Sequence, residues 1–329
     1  MATGWPERLA ALGAALIAGV ALGACVAPPE EAGAQSVRAP FVRVVGTAQD
    51  GGFPHAACDH EGCRQARTAA TPPRLVSSLA LVLPASDQVF LIDATPDIRP
   101  QLDLLRDVRQ PPDDRVDRSP LDGVFLTHAH IGHYLGLAFF GFEAVHTSDL
   151  AVWTTQRMAD FLRTNGPWSQ LVEKGNLDLR VTPPDTPIEL APGVSVTSFV
   201  VPHRDEFSDT VGYIIRGPSR SLLFVPDTDK WATWEPSLLD RLEGIDVALL
   251  DGSFFSAAEL PGRSIEEIGH PMIGTTMDLL ERRVAGAGLE ALFIHLNHSN
   301  PALAPDSEAR REIDARGFAV AIEGQEFDL

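Results

Sequence analysis

Ten short apolar runs, each closed by turn-forming residues and set among amphipathic segments, confine this chain to a layered α/β fold. The runs are 41–47, 77–84, 89–95, 123–130, 194–203, 211–217, 221–227, 247–254, 291–298 and 318–324. Each is a β-branched or apolar stretch between turn formers, which is how strands read. The segments 96–108, 155–165, 274–286 and 306–317 carry apolar residues at three- and four-residue spacing, the period of a helix with one buried face. Strands and helices mixed in this way pack as sheets covered by helices. The chain has 329 residues, 44% of them apolar, enough to build a sizeable core. No interdomain linker or short-period repeat interrupts the pattern from residue 41 onward, so one catalytic domain over 41–329 is expected.

The first residues stand apart. Leu9 to Ala24 is a run of sixteen uncharged residues after Arg8, about 24 Å as a helix and short of the ~20 residues that span a hydrocarbon core. An export signal over 1–24 is the better reading. It ends in "LGAC", which resembles the bacterial lipobox and implies cleavage before Cys25 and acylation of that cysteine. Two rival readings are an ordinary secretory cleavage at "AGA" (32–34) and an uncleaved anchor. Residues 25–40, rich in Ala, Pro and Glu, read as a flexible tether. The expected location is the cell envelope, as a lipoprotein facing the periplasm or exterior, with Cys25 as its only membrane attachment.

The formal charge of −19 argues against a nucleic-acid partner, since phosphate binding runs on clustered Lys and Arg. A small molecule is the expected substrate, and oligomeric state is not legible.

Histidines and acids gather where strands end. His128, His130 and His133 follow "GVFLT", His203 follows "VTSFVVP", Asp227 follows "SLLFVP", and His295 lies within "ALFIHLNH". Strand ends in layered α/β folds present side chains to a common cleft. One histidine there is ordinarily a packed core or surface residue, but five with an acid form a pattern. Neutral imidazole and carboxylate hold zinc or ferrous iron while leaving positions open for water and substrate.

The series "THAHIGH", "PHRDEF", "VPDTD" and "IHLNH" resembles, in order and spacing, the metallo-β-lactamase superfamily. The resemblance covers roughly 41–329 and implies a four-layer αββα sandwich with metals between two sheets. Carried over from the family motif H-x-H-x-D-H, His128, His130 and His203 would hold metal one. His133 and His295 would hold metal two, with Asp227 bridging. Asp93 in "FLIDATPD" matches a structural acid that ties the metal loop. Gly132 replaces the family aspartate and supplies no ligand, so metal two is expected to be weakly held or absent, with His133 then merely packing.

A second cluster, Cys58, His60 and Cys63 in "ACDHEGC", resembles the C-x-C-x-x-C element of the coenzyme pyrroloquinoline quinone synthesis protein B branch and of phosphonate-pathway cyclic phosphodiesterases. There the cysteines hold a structural zinc, which implies a Cys2His2 site completed here by His298. In an oxidising compartment Cys58 and Cys63 would alternatively form a disulfide. "GGFPHAAC", "LLDGSFF", "IGHPMI" and "FIHLNHSNP" look like further elements of the quinone-synthesis branch, although the full histidine run at 128–133 departs from it.

Metal-assisted hydrolysis of an ester-type substrate, phosphodiesters included, is the leading expectation, with a hydroxide generated at the cation as nucleophile. Asp227 would orient it. His270 in "EEIGHPMI" would protonate the leaving group or bind substrate, or else pack a loop; Asp251 reads as a structural strand-end acid. Zinc is expected at the structural site and at the active site, where iron or manganese would also suit the ligands. Two other readings stand beside hydrolysis: an iron- and oxygen-dependent hydroxylase like the quinone-synthesis relative, and a non-catalytic metal-binding lipoprotein.

Overall fold

The computed structural model describes residues 38–110, 116–260, 262, 269–286 and 288–329. The expected signal segment, most of the tether and Cys25 lie outside the described residues. Residues 38–40 of the tether belong instead to the folded unit. Arg38 pairs with Glu326 at 2.5 Å and lies 3.6 Å over the Phe41 ring, and the Leu329 N–H donates to the Pro40 carbonyl.

Among the described residues the strands form two seven-stranded sheets. The first contains β1 (Phe41–Gly46), β2 (Ser78–Leu83), β3 (Gln88–Ile92), β4 (Gly123–Phe125), β5 (Leu150–Thr154), β6 (Leu177–Val181) and β14 (Glu326–Asp328), in the order β14-β1-β2-β3-β4-β5-β6. The second contains β7 (Pro187–Ala191), β8 (Val194–Val200), β9 (Val211–Arg216), β10 (Ser221–Val225), β11 (Val247–Asp251), β12 (Glu290–Ile294) and β13 (Ala319–Val320), ordered β13 through β7. All ten expected runs contain a strand. In two of them it is much shorter than the run, because 126–130 and 321–324 leave the ladder to form loops.

Period-two alternation explains the layering. Leu222 and Phe224 of β10 point into a core shared with Val42, Val44, Leu79 and Leu81 of the first sheet. Leu223 and Val225 of the same strand face the helix Ile273–Ala285 through Met277 and Leu280. On the first sheet Val82, Leu91 and Val124 face Ile98, Met158 and Leu162 of the helices Ile98–Asp103 and Gln156–Thr164. Strands buried on both faces must be apolar almost throughout, as these are. The result is helix, sheet, sheet, helix, the αββα sandwich that the resemblance implies.

Pairing directions place the chemistry. β3 through β6 run parallel, as do β10 through β13; β1 and β8 share those respective directions through antiparallel neighbours. The exits of β1 and β12 meet the entry to β2 where Ala48 bridges both Leu296 and Val76. The exit of β4 is tied to the second sheet by the Val211 N–H, which donates to the Thr127 carbonyl.

Candidate metal centre

Four strand exits deliver the cluster. The loop after β4 carries His128, His130 and His133; the exits of β8, β10 and β12 carry His203, Asp227 and His295. Their ring nitrogens surround one carboxylate oxygen. Asp227 Oδ2 lies 3.4 Å from His128 Nε2, 3.9 Å from His130 Nδ1 and 3.2 Å from His203 Nε2. It also lies 3.9 Å from the Nε2 atoms of both His133 and His295. The imidazoles crowd each other: His130 Nδ1 is 2.9 Å from His128 Nε2 and 3.3 Å from His203 Nε2. His128, His130, His203 and Asp227 thus form one group able to hold a cation, and His133 and His295 stand in a neighbouring one.

The other ring nitrogens are anchored. His128 Nδ1 meets Thr127 Oγ1 at 3.0 Å, His130 Nε2 meets Glu206 at 3.2 Å, and His133 Nδ1 meets Asp93 at 2.7 Å. His203 Nδ1 faces Asp229 at 3.4 Å and His295 Nδ1 meets Ser253 Oγ at 3.0 Å. Partners of this kind fix the tautomer and direction of ligating imidazoles. Glu206, Asp229 and Ser253 were not singled out by sequence, although each lies within two or three residues of a strand-exit ligand or acid.

Cations fit this donor set, because polar atoms are buried here without partners. Asp50 Oδ1, His133 Nε2, Asp227 Oδ1 and His295 Nε2 have no hydrogen bond and almost no exposed surface. Burying such groups unpaired costs on the order of 1–3 kcal/mol each, and a cation satisfies several together. Two of the eight described non-glycine residues with positive φ lie at this place. Asp93 and His295 adopt left-handed φ of 69° and 63°, a conformation costing roughly 1–2 kcal/mol in non-glycine residues and typical of functional sites.

Charge states follow from the surroundings. Burial, with His133 beside it, holds the His128 imidazole well below its usual range, neutral and ready to ligate. Burial would push the Asp227 carboxyl up, but the charges of His270, His295 and His203 hold it well below the usual carboxylate range. His270 Nδ1 lies 2.8 Å from Asp251 and 3.2 Å from Asp227 Oδ1. Burial works against its proton, yet those two carboxylates raise the imidazole to about 9. Asp251 is also the structural acid expected, accepting from the Thr228 and Ser253 N–H groups.

Two features bear on the expected ligand sets. The loop is not short of a carboxylate: Asp50, in the turn after β1, sits under Gly132 with Oδ1 3.4 Å from His133 Nε2 and 3.5 Å from His295 Nε2. Sequence reasoning missed it, although it too follows an apolar strand in "FVRVVGTAQD". Second, the donors of Cys58, His60, Cys63 and His298 do not converge into a group of three or more within 4.8 Å, as the described donors around Asp227 do. His60 lies exposed at the start of the helix Glu61–Arg67, and the ring against His298, tilted with centroids 4.3 Å apart, is that of His55. Cys58 and Cys63 are free thiols, so the alternative disulfide is not formed either.

Residues 88–296 match the family described as the beta-lactamase superfamily domain. Coenzyme PQQ synthesis protein B of Methylobacterium sp. (strain 4-46) is 29% identical over 302 residues, covering 85% of this chain and 97% of that protein. The protein of the same name from Stutzerimonas stutzeri is 28% identical over 314 residues, covering 88% and 99%. Zn(2+)-bound PqqB from Methylobacterium extorquens superposes with a TM-score of 0.75 at 25% identity, covering 88% of this chain and 100% of that one. A diphosphatase from the PhnP family shares the fold, with a TM-score of 0.62 at 20% identity over 88% and 96%. With strand-exit histidines around a shared carboxylate and a family match over more than half its length, the chain belongs to the β-lactamase superfamily.

Proposed function

We propose that this chain is a metal-dependent hydrolase of an ester-type small molecule, phosphodiesters included. The observation that carries this reading is Asp227 Oδ2, which stands 3.2 to 3.9 Å from ring nitrogens of five histidines. One carboxylate therefore stands between two pockets of imidazole donors. His128, His130 and His203 would hold the first cation, with Asp227 shared. Zinc suits these donors, as the Zn(2+)-bound relative suggests; ferrous iron and manganese also accept nitrogen and oxygen ligands. The chemistry a divalent cation supplies in such a pocket is activation of water at neutral pH.

The protein's own groups position and protonate. Asp227 Oδ1, buried and without a hydrogen bond, is an acceptor available to orient the attacking water. His270 has Nδ1 committed to Asp251, so Nε2 is the nitrogen that would pass a proton to the leaving oxygen. Ile131 and Phe207 adjoin the His130–Glu206 pair in sequence and are 56% and 60% exposed, which favours a substrate with an apolar substituent.

Metal content by mass spectrometry, paired with hydrolysis of bis(p-nitrophenyl) phosphate and p-nitrophenyl acetate in air and under nitrogen, tests this reading. Zinc-dependent turnover that is indifferent to oxygen and lost with a chelator is the expected result. Iron with oxygen-dependent activity would overturn it in favour of a hydroxylase. A metal-replete protein inert toward both esters would favour the binding lipoprotein. On the leader alone, we also propose that Cys25 carries a lipid anchoring the enzyme in the cell envelope; palmitate labelling that survives Cys25→Ala would remove that proposal.

A further inference from the structure

We infer that Asp50 is the carboxylate ligand of the second cation, so that this chain has moved the ligand from position 132 to the loop after β1. It rests on the metal-centre reading above but not on turnover. Three observations carry it.

The first is distance. Asp50 Oδ1 lies 3.4 Å from His133 Nε2 and 3.5 Å from His295 Nε2. Donors bound at ~2.0–2.1 Å in a tetrahedral shell stand roughly 3.3 Å apart, so these three are already spaced for one ion. Asp227 Oδ2, 3.9 Å from both imidazoles, closes the set as the fourth donor. All three of Asp50 Oδ1, His133 Nε2 and His295 Nε2 are buried atoms with no hydrogen-bond partner.

The second is exclusion. A Cβ on Gly132 would fall within the Asp50 carboxylate group, 2.7 Å from Cγ and 2.8 Å from Cα. Real Cβ atoms do not approach that closely, so a side chain at 132 and the Asp50 carboxylate cannot share the space. Gly132 reads as the change that makes room for Asp50, not as the loss of a ligand.

The third is anchoring. The Gln49 N–H donates to the Leu296 carbonyl and the Leu296 N–H to the Thr47 carbonyl. The Gly52 N–H closes the turn onto the Gln49 carbonyl at 2.7 Å, and Gly52 takes φ +70°. This clamp holds Asp50 beside the residue following His295, the rigid placement a ligand needs.

The test counts zinc by mass spectrometry after equilibration and dialysis, and measures each affinity by chelator competition, on the full protein. Wild type should hold one cation more than Asp50→Asn, an isosteric change that keeps the fold, or should bind its weaker cation at least tenfold more tightly. Gly132→Asp should not hold the second cation as wild type does, because its Cβ would fall within the Asp50 carboxylate. Asp50→Asn with unchanged stoichiometry and affinities would overturn the inference and show Asp50 to be only an ion-pair partner of His133. A folded Gly132→Asp variant that binds both cations as wild type does would overturn the exclusion. Because nothing here reads turnover, a protein that binds two cations and hydrolyses no ester would sink the hydrolase reading and leave this one standing.

Discussion

His133 Nδ1 lies 2.7 Å from Asp93 Oδ2, and both side chains are fully buried. The same carboxylate accepts from the Thr127 N–H at 2.8 Å and from Thr127 Oγ1 at 2.9 and 3.0 Å. The Ala94 N–H donates back to the His133 carbonyl. Asp93 therefore fixes the β4 loop from inside and turns His133 Nε2 toward the cluster. Asp93→Ala should lower affinity for the second cation by about 10- to 100-fold. Leaving His133 Nδ1 buried and unpaired should cost about 3 kcal/mol of stability. Chelator competition and thermal melts in excess chelator separate the two effects; an unchanged second-cation affinity would refute the orienting role.

Metal loading should release protons at pH 7. Burial lowers His133, but the carboxylates of Asp93 and Asp50 hold its imidazole well above the usual range in the metal-free protein. His203 is likewise raised, its burial outweighed by Asp227. His133 therefore carries a proton at neutral pH and His203 holds one more firmly than a free imidazole does, and Nε2 must lose its proton to ligate. Calorimetric titration of zinc into chelator-treated protein, in buffers of different ionisation enthalpy, should show net proton release. Release should diminish as pH rises and the rings deprotonate. Heats independent of buffer at pH 7 would show the rings neutral before metal arrives.

His128→Ala should abolish esterase turnover and remove one cation while leaving the metal-free fold in place. His128 is buried among other imidazoles, and Thr127 Oγ1 is its partner outside the cluster. Deleting the ring relieves crowding as it opens a cavity, so the metal-free melting temperature should shift by only a few degrees. What should disappear is much of the stabilisation from added zinc, because a ligand binding only the native state stabilises it by mass action. A melting rise with zinc equal to that of wild type would place the first cation elsewhere.

The strands that sequence made legible were those buried on both faces, because that burial demands an unbroken apolar run. β6 and β7 are partly exposed along their length, and β14 is three residues long; none of them forms an unbroken apolar run. β5 is fully buried and meets the same criterion as its neighbours, yet it is absent from the ten runs read from sequence. The four helices expected from spacing are present, whereas Glu61–Arg67, Ile131–Tyr134, Trp168–Glu173 and Leu238–Arg241 are too short to show a period. The clustering of the candidate ligands carried by the family motif was legible because motif order encodes strand exits. Asp50 was not, since its role depends on a turn and two imidazoles that meet only when β1, β4 and β12 are assembled. Spacing between two cysteines likewise does not say which way His60, at the start of the helix Glu61–Arg67, turns its side chain.

His270 should supply the alkaline limb of the pH–rate profile. Its Nδ1 is held by Asp251 at 2.8 Å, with Asp227 3.2 Å away, and together they outweigh burial to raise it to about 9. The sign follows directly: the imidazolium is present below that value and is lost as pH rises through it. A proton donor to the leaving oxygen is thus available at neutral pH and absent in strong alkali. A cation on Asp227 offsets part of that carboxylate's pull, so in the loaded enzyme the limb should fall at or below pH 9. His270→Gln should lower kcat about 10²- to 10⁴-fold, the usual worth of a positioned acid, with metal content unchanged and the alkaline limb gone. Esters with acidic leaving groups, such as p-nitrophenyl, should lose less than alkyl esters, because they need less protonation. A His270→Gln enzyme that keeps the wild-type alkaline limb, or loses equally on both ester classes, would return His270 to a packing role.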